Sequence, residues 1–259
     1  LPFQKLLFSA TLTRNPQKLA SLALHNAVFF MESSSVSRYA IPVGLKVCVG
    51  FQFVQEHMLV CTASAKPLVL IHLLYSISSS PHVIIFTASV EATHRLCRLL
   101  QLFNETTSTE PSGSNAKKSK KQEAPPASVA AGTLSPISFA EYSSLSSQHT
   151  RSAVLAKFRA GLTQVLVCSD AMARGMDIQN VHTVINYDVP VFIRTYIHRV
   201  GRTARAGKGG TAITLVRSKE VRHFKEILAK AENSQVGLYP YEPKDIEYLV
   251  PQFKVCVRL

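Results

Sequence analysis

His198, Arg202 and Arg205 lie four and three residues apart in the segment His198-Arg199-Val200-Gly201-Arg202-Thr203-Ala204-Arg205. On a helix of about 3.6 residues per turn, these three side chains share one stripe. A guanidinium is permanently charged and forks onto phosphate oxygens. Such a stripe suits a nucleoside triphosphate, because an arginine aimed at a transferring phosphoryl group stabilises the charge that gathers on the departing oxygens.

Two further constellations point the same way. Val165 to Cys168 reads as a buried strand that runs into Ser169-Asp170-Ala171-Met172-Ala173-Arg174-Gly175-Met176-Asp177. Ser169 at the strand end can bond a phosphate oxygen, Gly175 allows close backbone approach to a ligand, and Asp177 can accept from ribose hydroxyls. Taken singly, Ser169 can equally cap a turn and Asp177 can pair with Arg174; the whole string beside the arginines favours the ligand. Gln148 and Arg151, at i and i+3, open a helix whose Val154, Leu155 and Phe158 face the core. A helix N-terminus with an added cation suits a nucleic-acid phosphate, and an exposed polar helix start has equal weight.

The elements that must position these residues follow a strand-then-helix rhythm. A strand at 3–8, the polar loop Ser9-Ala10-Thr11 and a helix at 13–24 precede a serine-rich linker over 26–46, closed by Pro42 and Gly44. Residues 46–54 suit an edge strand, and 66–77 a helix opened by Pro67. His82 to Phe86 is a β-branched run followed by a helix from Glu91 to Phe103. The pattern repeats at 137–142 with 148–160, at 164–168, at 182–187 with 191–200, and at 211–216 with 219–231. Near-continuously apolar strands alternating with helices predict an α/β fold: a parallel β-sheet sandwiched by helices. Ligands of such sheets bind outside the carboxyl ends of the strands.

Residues 104–136 break the rhythm. They are rich in Ser, Thr, Pro, Ala and Lys, and the expectation is a disordered insertion. Their Lys117-Lys118-Ser119-Lys120-Lys121 cluster reads as a solvated charge run ahead of a nuclear import patch. Residues 234–259, weakly periodic, are expected to form a surface tail.

The 259 residues carry a formal net charge of +13, which fits a phosphate-rich partner and leaves a plain basic protein open. Five cysteines (Cys48, Cys61, Cys97, Cys168 and Cys256) include no C-x-x-C pair, so zinc and a disulfide framework are not expected, and no metal site is assigned. No apolar run approaches the roughly 18 residues of a membrane span. The start at Leu1, with no basic leader, reads as a fragment of a longer protein.

Ser9-Ala10-Thr11, Phe86-Thr87-Ala88-Ser89, Gln148-x-x-Arg151, Ser169 through Asp177, Asn186-Tyr187-Asp188 and His198 through Arg205 occur in the order found in DEAD-box RNA helicases. The chain resembles that family at its motifs III, IV, the Q-x-x-R element, V, Va and VI. The resemblance implies the end of a first RecA-like lobe over 1–25, an interdomain linker over 26–45 and a second, C-terminal RecA-like lobe over 46–233. Ile41-Pro42-Val43-Gly44-Leu45 and the His198 to Gly207 string are similar to the nucleolar group that acts in assembly of the large ribosomal subunit, which implies a nuclear, nucleolar location.

Residue by residue, the resemblance implies that Arg202 and Arg205 reach the γ-phosphate across the cleft between lobes, with Arg205 the better finger. Asp177 and Gly175 would contact the nucleotide, and Asp177 its ribose. His198 would link this lobe to motif III (Ser9, Ala10, Thr11), and Arg174 would share in that coupling. Ser89, Gln148, Arg151 and Ser169 would hold RNA phosphates without a sequence code. The chain has no Gly-x-x-x-x-Gly-Lys-Ser/Thr and no Asp-Glu-Ala-Asp, so ATP and its Mg²⁺ would be gripped mainly by the missing N-terminal lobe. Pre-ribosomal proteins would be further partners.

The sequence departs from the family at Ser143-Ser144, where His-Gly is usual, and at 46–60 and 104–136, which look inserted. Two other readings stand beside the enzyme: a truncated non-catalytic module that binds RNA or protein, and a DNA-directed relative. Many such relatives carry glutamine where this chain has His198, which argues against the last.

Overall fold

The computed structural model of the chain describes residues 54–77, 82–108, 135–173, 178, 181–204, 209–230 and 236–258. Within them the strands are β1 (Val54–Cys61), β2 (Val83–Thr87), β3 (Phe139–Tyr142), β4 (Val165–Ser169), β5 (Thr183–Asn186), β6 (Gly210–Arg217) and β7 (Gly237–Leu238). The helices are α1 (Lys66–Ser76), α2 (Val90–Ser108), α3 (Gln148–Arg159), α4 (Asp170–Ala173), α5 (Ile193–Val200), α6 (Val221–Lys230) and α7 (Val250–Arg258). All sheet pairs are parallel, in the order β3-β4-β2-β5-β6-β1-β7. The expected parallel sheet covered on both sides by helices is what forms.

The sheet is buried on both faces, which is why β2 (Val-Ile-Ile-Phe-Thr) and β4 (Val-Leu-Val-Cys-Ser) contain no exposed residue. Alternate strand residues point to opposite faces. Val83, Ile85, Val165, Val167 and Ile185 meet Leu70, Leu73, Leu100 and Phe103 of α1 and α2 on one side. On the other, Ile84, Phe86, Leu166 and Cys168 meet Phe158 of α3, while Ala212 and Val216 meet Tyr196, Ile197, Phe224 and Ile227 of α5 and α6. Long connections run right-handed over such a sheet, so each helix returns the chain to the amino end of the next strand.

Three expectations change, and a fourth lies mostly outside the described residues. Of the edge strand expected at 46–54, residues 46–53 are not among them, and the strand that is described runs over Val54–Cys61, flanked by β6 and β7 and so interior. Its polar Glu56 is buried there because the Tyr196 hydroxyl donates to the carboxylate. The helix expected to stop at Phe103 continues to Ser108, because the Thr106 and Thr107 hydroxyls bond the carbonyls of Phe103 and Asn104 three residues back. Residues 104–108 are therefore helical, and 109–134 of the expected insertion lie outside the described residues. The presumed surface tail belongs to the domain: β7 pairs with β1, and α7 packs along α2, with Leu249 and Cys256 buried.

The four described cysteines, Cys61, Cys97, Cys168 and Cys256, are buried free thiols, and burial pushes the Cys97 thiol up to about 12. Among the described residues, no helix is long and apolar enough to cross a membrane.

Candidate functional site

At the carboxyl edge of the sheet, register aligns three hydroxyl residues on neighbouring strands. Thr87 pairs with Ser169, and the pairing of Tyr142 with Cys168 sets Ser143 beside Ser169. Thr87 is buried and satisfied, with its Oγ1 2.7 Å from that of Thr93. Ser169 is 3% exposed, and its Oγ has no hydrogen-bond partner. Ser89, just past β2, is exposed; its Oγ accepts from the Ala92 N–H at 3.1 Å and so caps α2. An oxygen that accepts at a cap retains an O–H donor.

Beyond Ser143 the chain turns into α3. Ser147 caps that helix, its Oγ accepting from the Thr150 N–H at 3.2 Å. Gln148 is exposed and Arg151 partly so. Arg151 donates to the Ser146 carbonyl at 2.6 Å and to Gln148 Oε1 at 2.5 Å, which holds the guanidinium over the helix start. No acidic residue occupies the first turn, so the positive end of the helix dipole is unopposed. Ser89, Ser169, Gln148 and Arg151 thus gather at the carboxyl ends of β2, β4 and β3.

Arg199, passed over in the sequence, is the most heavily engaged charge in the site. It is 2% exposed, its Nε and Nη2 fork onto Asp170 at 2.5 and 2.7 Å, and its Nη1 donates to the Asp188 carbonyl at 2.6 Å. The guanidinium also lies 5.3 Å from the Phe86 ring centroid. One side chain therefore ties the ends of β2, β4 and β5 to α5. The signal was available: Asp170, Asn186 and Asp188 follow apolar strands and need a donor-rich partner. Asp188 is held from the other side by buried Lys66 at 2.9 Å and by the Ala88 N–H at 2.9 Å. Both aspartates are thus engaged by cations, and among the described residues no group of three or more His, Cys, Asp and Glu could hold a metal.

The arginine stripe does not form as a helix. α5 ends at Val200, where Gly201 N–H bonds the Ile197 carbonyl at 2.8 Å. The Thr203 hydroxyl lies 2.8 Å from the carbonyls of Val181 and His182 and pulls the chain aside. Ala204 then takes a left-handed φ of 53°. A Cβ on Gly210 would meet Thr203 Oγ1 at 2.0 Å, so only glycine lets this turn pack against β6. His198 is exposed in the last helical turn, and Arg202 is partly buried in the turn beyond it. That turn abuts the chain entering β5, away from the hydroxyl row. Ser9, Ala10, Thr11, Arg174, Gly175, Asp177 and Arg205 lie outside the described residues.

Comparison with known proteins adds an independent line. Residues 65–207 match the helicase conserved C-terminal domain. The chain is 36% identical over 254 residues to "DEAD-box ATP-dependent RNA helicase 1" of Oryza sativa subsp. japonica, covering 98% of this chain and 41% of that protein. It is 36% identical over 266 residues to "ATP-dependent RNA helicase DDX51" of Homo sapiens, covering 98% of this chain and 34% of that protein. It thus spans less than half the length of these relatives. Among solved structures, S. cerevisiae Dbp5 bound to RNA and ADP BeF3 aligns at TM-score 0.62 and 21% identity, covering 97% of this chain and 54% of that one. At that identity the likeness is one of fold.

Proposed function

The chain belongs to the helicase conserved C-terminal domain family, in its DEAD-box branch, and on that premise we propose that it is the C-terminal lobe of an ATP-dependent RNA helicase. It holds RNA by its phosphates and supplies arginines to ATP hydrolysis in ribosome assembly in the nucleolus. The observation that supports this reading is the gathering of Ser89, Ser169, Gln148 and Arg151 at one sheet edge, with the Ser169 hydroxyl unpaired, Arg151 held over a helix start and the helix N-terminus unopposed by acid.

Ser89, Gln148, Arg151 and Ser169 bind the RNA backbone, so affinity is largely independent of sequence. Arg202, with Arg205, faces the triphosphate; Asp177 and Gly175 receive its sugar. The exposed His198 couples this lobe to Ser9, Ala10 and Thr11, with Arg174 contributing. ATP supplies the free energy of phosphoryl transfer, and its Mg²⁺ and β-phosphate are held by the partner lobe, since this chain contains neither a phosphate-loop lysine nor a DEAD tetrad. The DDX51 and DEAD-box relatives are named as ATP-dependent RNA helicases, which supports the reading.

Two measurements test it. The purified chain should bind single-stranded RNA of any sequence, with affinity falling steeply as salt rises, and should hydrolyse no ATP above background. In the complete protein, Arg202→Ala should cut RNA-stimulated hydrolysis by about a thousandfold or more, the scale of an arginine finger. Robust hydrolysis by the 259-residue chain alone, lost on Arg205→Ala, would overturn the division of labour.

A further inference from the structure

Lys66 stands where neither the helix nor the solvent favours it. It lies in the first turn of α1, where a cation opposes the helix dipole, and it is buried. Lysine is almost never buried without a partner. Thr62 fixes its backbone: the Thr62 carbonyl accepts from the Lys66 N–H at 3.1 Å, and Thr62 Oγ1 accepts from the Ala65 N–H at 3.2 Å. α1 crosses β6 and β5 on its way from β1 to β2, and its first turn meets the residues that follow β5. There the Lys66 ammonium sits 4.5 Å from the Tyr187 ring centroid and donates to Asp188 Oδ1 at 2.9 Å.

The second oxygen of that carboxylate faces another element. Asp188 Oδ2 accepts from the Ala88 N–H at 2.9 Å, and the Asp188 N–H bonds the Phe86 carbonyl at 3.3 Å. Ala88 is exposed and lies one residue past the end of β2, directly before Ser89. A carboxylate with both oxygens committed cannot turn away from Ala88. Released from Lys66, the partly exposed Asp188 side chain has water as an alternative, and the Ala88 backbone loses its fixed acceptor. Arg199 donates to the Asp188 carbonyl at 2.6 Å and so fixes its main chain; Lys66 fixes its side chain.

We propose that Lys66 is a positioning residue for RNA: through Asp188 it holds the Ala88–Ser89 backbone so that Ser89 meets a phosphate. This rests on the reading of the chain as an RNA-binding lobe. It adds to that reading a side chain that touches no RNA, on a helix that carries none of the six motifs.

The test uses the full chain, a labelled oligouridylate, amide hydrogen exchange, and the variants Lys66→Gln, Lys66→Arg and Ser89→Ala. Lys66→Gln should weaken RNA binding about tenfold, the loss of one well-placed contact. Lys66→Arg should recover most of it, since a guanidinium also bonds a carboxylate. In the Ser89→Ala background, Lys66→Gln should cost far less than tenfold, because both changes act on one contact. Additive losses overturn the inference, since Lys66 then supports only the fold. The slope of log affinity against log salt should hold in Lys66→Gln, and a slope smaller by about one would make Lys66 itself a phosphate ligand and overturn its positioning role. Without RNA, the Ala88 amide should exchange faster in Lys66→Gln, while that of Ile85 inside β2 keeps its rate. Should Lys66→Gln not fold, the parent still decides: an Ala88 amide that exchanges as freely as an open loop overturns the hold. If the parent binds and Lys66→Gln binds equally well, the inference falls and the RNA reading stands. If the parent binds no oligouridylate, both fall together.

Discussion

In the body of α5, Arg199 is almost wholly buried and directs its guanidinium to Asp170, Asn186 and the Asp188 carbonyl. In the turn three residues on, Arg202 is only partly buried, beyond the helix end and beside a glycine-dependent contact. The two are identical in chemistry and neighbours in sequence. Their surroundings tie the first to three strand ends, whereas the second sits in a turn fixed by Thr203 and Gly210, which is where the proposed function has a nucleotide met.

The largest expected effect tests the first half of that contrast. Arg199→Ala leaves Asp170 without its forked partner and should cost about 3–5 kcal/mol, read by denaturant unfolding. Arg199→Lys should recover only part of this, since an ammonium cannot fork. Next comes the wall behind Arg202. Gly210→Ala drives a methyl into Thr203 Oγ1 and should cost about 1–3 kcal/mol, with Arg202-dependent chemistry lost alongside. Arg202→Ala itself should cost under about 1 kcal/mol of stability, as a partly exposed charge does, while hydrolysis by the complete protein collapses. A stability loss as large as that of Arg199→Ala would erase the distinction.

The smallest effect comes from an ion pair that neither region uses. The Arg217 guanidinium donates to Glu220 and holds its carboxyl below the ordinary 4.5. A depressed carboxyl contributes stability above its unfolded value, and loses it as pH falls through the lower, folded value. Both groups are partly exposed, so solvent screening keeps this to a few tenths of a kcal/mol. Glu220→Gln should flatten that part of the acid-unfolding profile by no more than this.

Much of the architecture was legible because it depends on short-range pattern. β2, β4 and β5 are apolar runs, Pro67 opens α1, and each helix follows its strand within a few residues. The failures share a cause: a distant partner overrides the local signal. β1 was not singled out over 54–61, where the run carries a glutamate at 56 whose burial depends on Tyr196, 140 residues on. α7 looked aperiodic because it packs along α2 through only part of its surface, chiefly Phe253 and Cys256. Of the candidate site, Ser89, Gln148, Arg151 and Ser169 could be picked out from motif order, and the structure gathers them at one sheet edge. The pattern ended α5 at 200, as the structure does, but the non-helical turn that carries Arg202 was not legible, because the Thr203 hydroxyl reaches carbonyls of Val181 and His182 more than 20 residues earlier. The signal for Arg199 lay not beside it but in Asp170, Asn186 and Asp188, polar groups at strand ends 11 to 29 residues earlier.

Asn104 and Ile137 bear on what this domain can tolerate. The Asn104 side chain accepts from the Ile137 N–H at 3.0 Å and donates to the Ile137 carbonyl at 2.9 Å, fastening the chain on either side of residues 109–134. The clasp holds the end of α2 to the chain entering β3 whatever joins them, so Asn104→Ala, which removes both bonds, should lower the melting temperature of the lobe.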